Sequence, residues 1–463
     1  MVNTADSIGG GHVLVWDLFL GLLACGINSY LLVGRKASNH QNVFEIPNDS
    51  YRSRWARCWL TIGNRLNPLV GRVKGVGHVR NALHWIGQPR RLFQVLQGHE
   101  DFDFPGTQHI ITMLPVPPDI IHCHNLHGGY FDLRYLASLS RQVPVILTLH
   151  DAWLLGGHCG HSLGCERWKK KCGHCPDLTL YPSIRRDGTE YNWMVKSGIF
   201  KDSHFHIVTP SRWLMDKVTQ SILSPSIVKA RVIPNGIDLT TYFAEKKDKV
   251  RDILNIPQNI TLLLIVANRI RRNTWKDYAT IKAALAKVVE YMPNQNIQII
   301  ALGEEAKPEA AGKAIINFLP YQTNPKIVAM YYQSADLFIH SARADTFPST
   351  VLEALACGTS VVATAVGGIP EQIKGLRIRE NLSEVYGTLS YERDEATGIL
   401  VPPSDPDKMA RAIIMLLSHK SLREQLSENA VQDMRRRFGL DKMIDAYTRF
   451  YREIILGNNS PKQ

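Results

Sequence analysis

The sequence predicts an α/β protein built as two doubly wound domains, and three observations carry that expectation. Short runs rich in Val, Ile and Leu alternate with stretches of helical period along the whole chain, as in a parallel sheet with crossover helices. At 463 residues and 44% hydrophobic composition the chain can bury two cores. The alternation pauses once, in the charged and weakly periodic stretch Leu239 to Pro257, and then resumes. Low-complexity segments and internal repeats are absent, which excludes a solenoid. The expected division is 1–238, 239–440 and a closing helical segment 441–463.

In chain order, the first strand has only Val2, Asn3 and Thr4 to form it, and Gly9, Gly10 and Gly11 follow as a turn. Their consecutive spacing is not the G-x-G-x-x-G of a dinucleotide site. Two readings stand: a plain turn, or backbone that comes close to a donor phosphate or an acceptor. The apolar run Val13 to Ile27 is broken by Asp17 and too short to span a bilayer, and no basic start with a small-residue cleavage site precedes it. A cytoplasmic protein without a transmembrane helix is expected. Strands are predicted at Ser29 to Val33, Ile120 to Cys123, Val145 to Leu149, His206 to Thr209 and Arg231 to Ile233 in the first half. In the second they fall at Thr261 to Ala267, Ile297 to Leu302, Leu337 to Ile339 and Ser360 to Thr364.

The net charge of +12 is localised: Tyr51 to His99 holds nine Lys and Arg residues and no Asp or Glu, with Trp55, Trp59 and Trp85 interspersed. Basic helices with tryptophan suit an anionic membrane surface, where each basic residue contributes about 1 kcal/mol. Nucleic acid is the competing polyanion, but no nucleic-acid module accompanies the charge, so no such partner is expected. A solvated basic face is the third reading. Four of the eight cysteines cluster as Cys159, Cys165, Cys172 and Cys175, interleaved with His158, His161 and His174. One C-x2-C pair plus two further cysteines predicts a structural zinc site on these four; disulfides are the alternative, disfavoured in a cytosolic chain. No metal is expected in the chemistry.

Ser341 to Glu371 is the most informative segment. Ser349 to Ala356 has helical spacing and stops at Gly358; a strand follows, then Gly367 and Gly368 permit a tight turn, with Pro370 suited to open another helix. Such strand-to-helix turns gather at the carboxyl ends of a parallel sheet, where helix N-termini offer N–H groups to a diphosphate. Asp345 and Glu353, eight positions apart, flank that point. Alone, each reads as a turn former or a solvated helix acid. Val351, Leu352, Leu355 and Ala356 make the helix largely buried, however, so an acid inside it needs donors such as ribose hydroxyls.

The segment resembles the E-x7-E region of retaining family 4 glycosyltransferases, with Asp345 and Glu353 at the two acidic positions and GGIPE, Gly367 to Glu371, behind them. RVIPNGIDLTTYF from Arg231 and VTPSRWL from Val208 are similar to passages of the same family. The segment Ile121 to Leu133, with TLHDAW from Thr148, resembles a subgroup making polysaccharide, colanic-acid-like or lipid-linked glycans. The resemblance covers essentially the whole chain, least in Tyr51 to Gly98 and Lys374 to Ala396. It implies the GT-B fold, two doubly wound Rossmann-like domains facing across a cleft, with Asp441 to Ile455 as the helix returning to the first domain.

It also implies retaining transfer of a sugar from a UDP- or GDP-linked donor to a glycan or lipid-linked acceptor, by an enzyme peripheral to the inner face of the membrane. Asp345 would hold donor-sugar hydroxyls and Glu353 the nucleotide ribose. Lys276, with Arg269 as the arginine nearest the strand end, would meet the leaving diphosphate; Arg271 and Arg272 read as solvated. Gly10, Gly11, Gly367 and Gly368 would border the donor. His150 would contact the donor sugar or stabilise the transition state, with Asp151 orienting it or the acceptor; His124 and His127 are weaker candidates. Asp345 is one methylene shorter than the usual glutamate, and Thr346 and Pro348 stand where relatives carry glycine. Proline has no N–H to donate, so the phosphate cradle is expected to shift to the amides of Ser349 and Thr350. A nucleotide-sugar epimerase and a catalytically silent scaffold are the alternatives.

Overall fold

The computed structural model describes residues 1–6, 10–377 and 390–458, which fall into two compact units. Unit 1 takes Met1–Thr209, Leu214–Val232 and the chain from Ala446 onward; unit 2 takes Pro210–Trp213 and Ile233–Asp445. Ile237, in unit 2, donates its N–H to the Phe438 carbonyl at 2.8 Å.

Unit 1 runs β1 (Val2–Ala5), α1 (Gly10–Ala24), β2 (Leu31–Arg35), β3 (Val43–Glu45), α2 (Arg54–Asn64), α3 (Val76–Gly87), α4 (Pro89–Leu96), β4 (Ile121–Cys123), α5 (Leu136–Gln142), β5 (Val145–Thr148), α6 (Thr189–Lys201), β6 (Phe205–Thr209), α7 (Arg212–Thr219) and β7 (Ile227–Val232). Its strands are all parallel and ordered β3-β2-β1-β4-β5-β6-β7, a doubly wound sheet whose order reverses between β1 and β4. Strands β4 and β5 are buried at every position, as a sheet covered on both faces requires. Gly10 and Gly11 open α1 instead of lying in the expected turn; Gly9 lies outside the described residues.

Unit 2 continues with α8 (Lys247–Leu254), β8 (Thr261–Val266), α9 (Tyr278–Tyr291), β9 (Ile297–Leu302), β10 (Glu309–Ala311), β11 (Ala314–Leu319), α10 (Pro325–Ser334), β12 (Leu337–His340), α11 (Ser349–Ala356), β13 (Ser360–Thr364), α12 (Ile369–Gln372), β14 (Gly375–Leu376), β15 (Ser390–Tyr391), β16 (Ile399–Val401), α13 (Pro406–Ser418) and α14 (Lys420–Arg437). Its main sheet is ordered β10-β11-β9-β8-β12-β13-β16, with only β10 antiparallel, and reverses between β8 and β12. The pleat of β8 sends Leu263 and Ile265 into one core, and Leu262 and Leu264 into the other, so the sheet is dry on both faces. Part of the poorly matched stretch Lys374 to Ala396 lies outside the described residues.

The last helix, α15 (Leu440–Asn458), crosses from one unit to the other along the chain, and from Ala446 its residues cluster with unit 1. Tyr451 Oη meets His122 Nδ1 at 2.6 Å; Thr148 Oγ1 meets His122 Nε2 at 2.7 Å and Tyr447 Oη at 3.1 Å. A buried polar string thus fixes α15 on β4 and β5. Among the described residues no helix is long and apolar enough to cross a membrane.

Candidate active site

In unit 2 the candidate residues converge at the carboxyl ends of β8 and β12, on either side of the point where the strand order reverses. An open α/β sheet leaves its crevice there. The loop after β8 lies against the loop after β12: Arg343 N–H donates to the Trp275 carbonyl at 2.8 Å, and Asp277 N–H to that of Ser341 at 3.2 Å. This pairing brings Lys276 to Asp345. Lys276 Nζ lies 2.5 Å from Asp345 Oδ2 and 3.2 Å from His340 Nε2.

The charges follow from that geometry. Burial alone would raise the Asp345 carboxyl, but the Lys276 ammonium, and after it the His340 ring, hold it well below the usual carboxylate range. Burial pushes His340 down to about 4, and the Lys276 cation pushes the same way. His340 is therefore a neutral imidazole accepting from Lys276, and the trio carries one cation, one anion and no net charge. His340 was not among the residues singled out from sequence. The available signal was a titratable side chain at the carboxyl end of a buried strand, in LFIH.

The glycines of the second turn have a visible task. Gly367 has φ +59°, and a Cβ there would sit 1.7 Å from the Asp345 carbonyl oxygen. One on Gly368 would sit 2.0 Å from that of Thr346. The turn is thus pressed onto the backbone of the Asp345 loop, with Gly368 N–H donating to the Asp345 carbonyl at 3.2 Å. Ser349 and Thr350 form the first turn of α11, after Pro348 as cap residue. Ser341 Oγ, Thr346 Oγ1 and Thr350 Oγ1 are buried without a hydrogen-bond partner among the described residues. Buried hydroxyls without a protein partner take one from ordered water or from a ligand.

Glu353, further along α11, accepts from Tyr332 Oη at 2.9 Å. Burial raises its carboxyl to about 7, against the lowering effect of that hydrogen bond. The three arginines after β8 separate clearly. Arg271 is held by Glu304 and Glu309, each at 2.9 Å, whereas Arg269 and Arg272 make no ion pair among the described residues. Arg269 stands at the strand end with φ +51°, a left-handed backbone uncommon for a long side chain.

In unit 1, His150 and Asp151 follow β5. His150 Nε2 meets His124 Nδ1 at 3.1 Å, and Asp151 Oδ2 meets His127 Nε2 at 2.9 Å. Burial alone would lower His127 and raise Asp151; their mutual attraction reverses both, so they stand as an ion pair. His124, which meets His150, is kept neutral by burial, while Asp151 pairs with His127 and accepts from the Trp153 N–H. Lys196, fully buried, bonds Glu100 Oε1 and the carbonyls of Trp153 and Gly156, tying the loop after β5 to α6.

That loop carries the cysteine cluster, and all eight cysteines are free thiols. Burial, helped by the neighbouring thiols, pushes Cys159 up to about 12, and burial takes Cys172 to about 11. His158 Nε2 lies 3.4 Å from Cys175 Sγ. Among the described residues, no group of three or more His, Cys, Asp or Glu side chains is arranged to hold a metal ion.

Comparison with known proteins bears on both units. Residues 8–241 match the family model described as Glycosyltransferase Family 4, and residues 261–419 the model described as Glycosyl transferases group 1. A protein of Escherichia coli (strain K12) described as a colanic acid biosynthesis glycosyl transferase is 25% identical over 258 residues, 53% of this chain and 60% of that one. A D-inositol 3-phosphate glycosyltransferase of Actinosynnema mirum is 28% identical over 218 residues, 44% of this chain and 47% of that one. The chain thus spans about half of the length of these curated relatives. Among solved structures, a sucrose-phosphate synthase from Thermosynechococcus elongatus aligns over 98% of this chain and 99% of its own, with TM-score 0.61 and 17% identity. The Anabaena protein HepE, solved in complex with UDP and glucose, aligns over 98% and 99%, with TM-score 0.58 and 13% identity. At such identities the likeness shows the fold, which is GT-B.

Proposed function

Because the chain belongs to glycosyltransferase family 4, we propose that it moves a sugar from a UDP- or GDP-linked donor to a hydroxyl of a glycan or lipid-linked acceptor, with retention, in polysaccharide or lipid-linked glycan synthesis. The observation that carries this reading is the Lys276–Asp345–His340 contact beside three unpartnered hydroxyls, where the strand order of unit 2 reverses. The UDP and glucose of the Anabaena complex support the donor class, and the E. coli relative's description supports the biosynthetic setting.

In this reading the bond from the sugar's anomeric carbon to the diphosphate oxygen breaks with its electron pair going to the diphosphate. Lys276, with Arg269, offsets the charge that develops there. Asp345 then accepts from sugar hydroxyls and Glu353 from the ribose, while Ser349 and Thr350 offer amides and hydroxyls to phosphate oxygens. The acceptor oxygen bonds to the anomeric carbon on the face the diphosphate leaves, and its proton passes to a diphosphate oxygen. No side chain at the site is placed as a nucleophile in this scheme. In unit 1 the candidate sugar-contacting residue is His150, whose Nε2 meets His124 Nδ1.

The test is release of free nucleotide from a panel of uridine and guanosine diphosphate sugars. Lys276→Ala and Asp345→Ala should each lower turnover by roughly a hundredfold or more, the usual effect of removing one group that stabilises developing charge. A wild type that releases no nucleotide from any donor, or that returns an epimerised nucleotide sugar, would overturn the proposal.

A further inference from the structure

The long crossover from β3 to β4 carries α2, α3 and α4, and the way they pack leaves an unusual surface. Helix α2 buries Ala56, Leu60 and Gly63 along one stripe. A Cβ on Gly87 would lie 2.9 Å from the Trp59 Cβ and one on Gly63 2.4 Å from the His84 ring, so α2 and α3 touch almost backbone to backbone. That contact uses little apolar surface. Helix α3 buries only Gly87, and α4 buries nothing. The larger apolar side chains point outward instead: Trp55 and Phe93 are each 58% exposed, Val79 54% and Leu96 49%. On α4, Phe93 and Leu96 are three apart and Arg90 lies one turn before Phe93, so the three share a side.

The charge of this surface is equally one-sided. Arg54, Arg57, Arg65, Arg72, Lys74 and Arg90 are exposed and make no ion pair among the described residues. Arg52 and Arg91 do have carboxylates, Asp103 and Asp101, both from just beyond the acid-free window. A nucleic acid would use the cations but press its phosphates onto Val79, Phe93 and Leu96. A second copy would bring like charge against like charge, which disfavours association. Unpaired cations and outward apolar side chains on the same crossover match one environment that offers both phosphates and hydrocarbon.

We propose that the face built by α2, α3 and α4 docks on an anionic phospholipid bilayer, with Phe93, Leu96 and Trp55 entering the boundary between headgroups and acyl chains and the unpaired cations meeting lipid phosphates. This goes beyond the sugar-transfer reading and stands without it, since its readout is sedimentation with lipid.

The test is co-sedimentation of the full chain with vesicles of equal parts phosphatidylglycerol and phosphatidylcholine, and with phosphatidylcholine alone. Binding is expected to the first, weakened by salt, and not to the second. Arg54→Glu, Arg57→Glu and Arg90→Glu together should weaken it by roughly a hundredfold or more, at about fivefold per lost cation. Phe93→Ser with Leu96→Ser keeps every charge and should still weaken binding by about tenfold; these side chains are exposed, and an unchanged melting temperature verifies the fold. Failure to bind anionic vesicles, or equal binding to both vesicle types, would overturn the proposal. So would duplex DNA binding that survives the serine pair while vesicle binding is absent, which assigns the face to nucleic acid. A dimer dissolved by the serine pair without any vesicle binding would assign it to a second copy.

Discussion

Glu353 is the residue whose protonation ties stability to pH near neutrality. Its folded pKa, raised by burial from the ordinary 4.5 to about 7, means that its stabilising contribution is fully present below pH 4.5 and is lost as the pH rises through 7. Glu353→Gln has no proton to lose. Its melting temperature relative to the wild type should therefore climb between pH 5 and pH 8, by the equivalent of at most about 3 kcal/mol and less where solvent reaches the carboxylate. A flat difference across that range would contradict the assignment. A ribose hydroxyl donates best to the ionised carboxylate, so uridine diphosphate should bind the wild type more tightly at pH 8 than at pH 6, and the variant should lose that dependence.

Among elements, the turn at Gly367 is the least replaceable. Gly367→Ala combines a left-handed φ with a Cβ 1.7 Å from the Asp345 carbonyl oxygen, so the loop has to move. A loss of about 3 kcal/mol or more is expected by thermal or urea unfolding. Whatever protein remains folded should bind donor poorly, because the displaced backbone is that of Asp345. The segment from β12 to α12 was legible in sequence because β12 and β13 are unbroken buried runs and the turn chemistry between them is explicit. Strand β7 was placed late because it is an edge strand on which exposed Val228, Lys229 and Ala230 blur the apolar signal. Strands β10 and β11 were missed. Ala314–Leu319 alternates buried and exposed positions and Glu309–Ala311 has weak strand preference, so neither resembles the fully buried runs beside them. In the site, acids and cations were readable from their spacing, whereas the partners His340 and Tyr332 were not. Those partners come from other strands and helices, and only the sheet order brings them together.

For the whole molecule, the polar string between α15 and the strands of unit 1 decides whether that unit is complete. Tyr451→Phe removes the partner of a buried imidazole nitrogen on His122 and should cost about 1–3 kcal/mol, seen as a lower urea midpoint for unit 1. Ending the chain before Ala446 removes Tyr447 and Phe450 from the same core and should leave unit 1 open to protease while Ile233–Asp445 resists it. The order in which the ribosome delivers these pieces then has a consequence. Unit 2 is nearly continuous in the chain and can close while synthesis is still under way, but the second residue of β4's hydrogen-bonding string waits for Tyr451, more than three hundred positions later. Until α15 emerges, the nascent first half holds an unfinished core, so its final folding step waits for that helix.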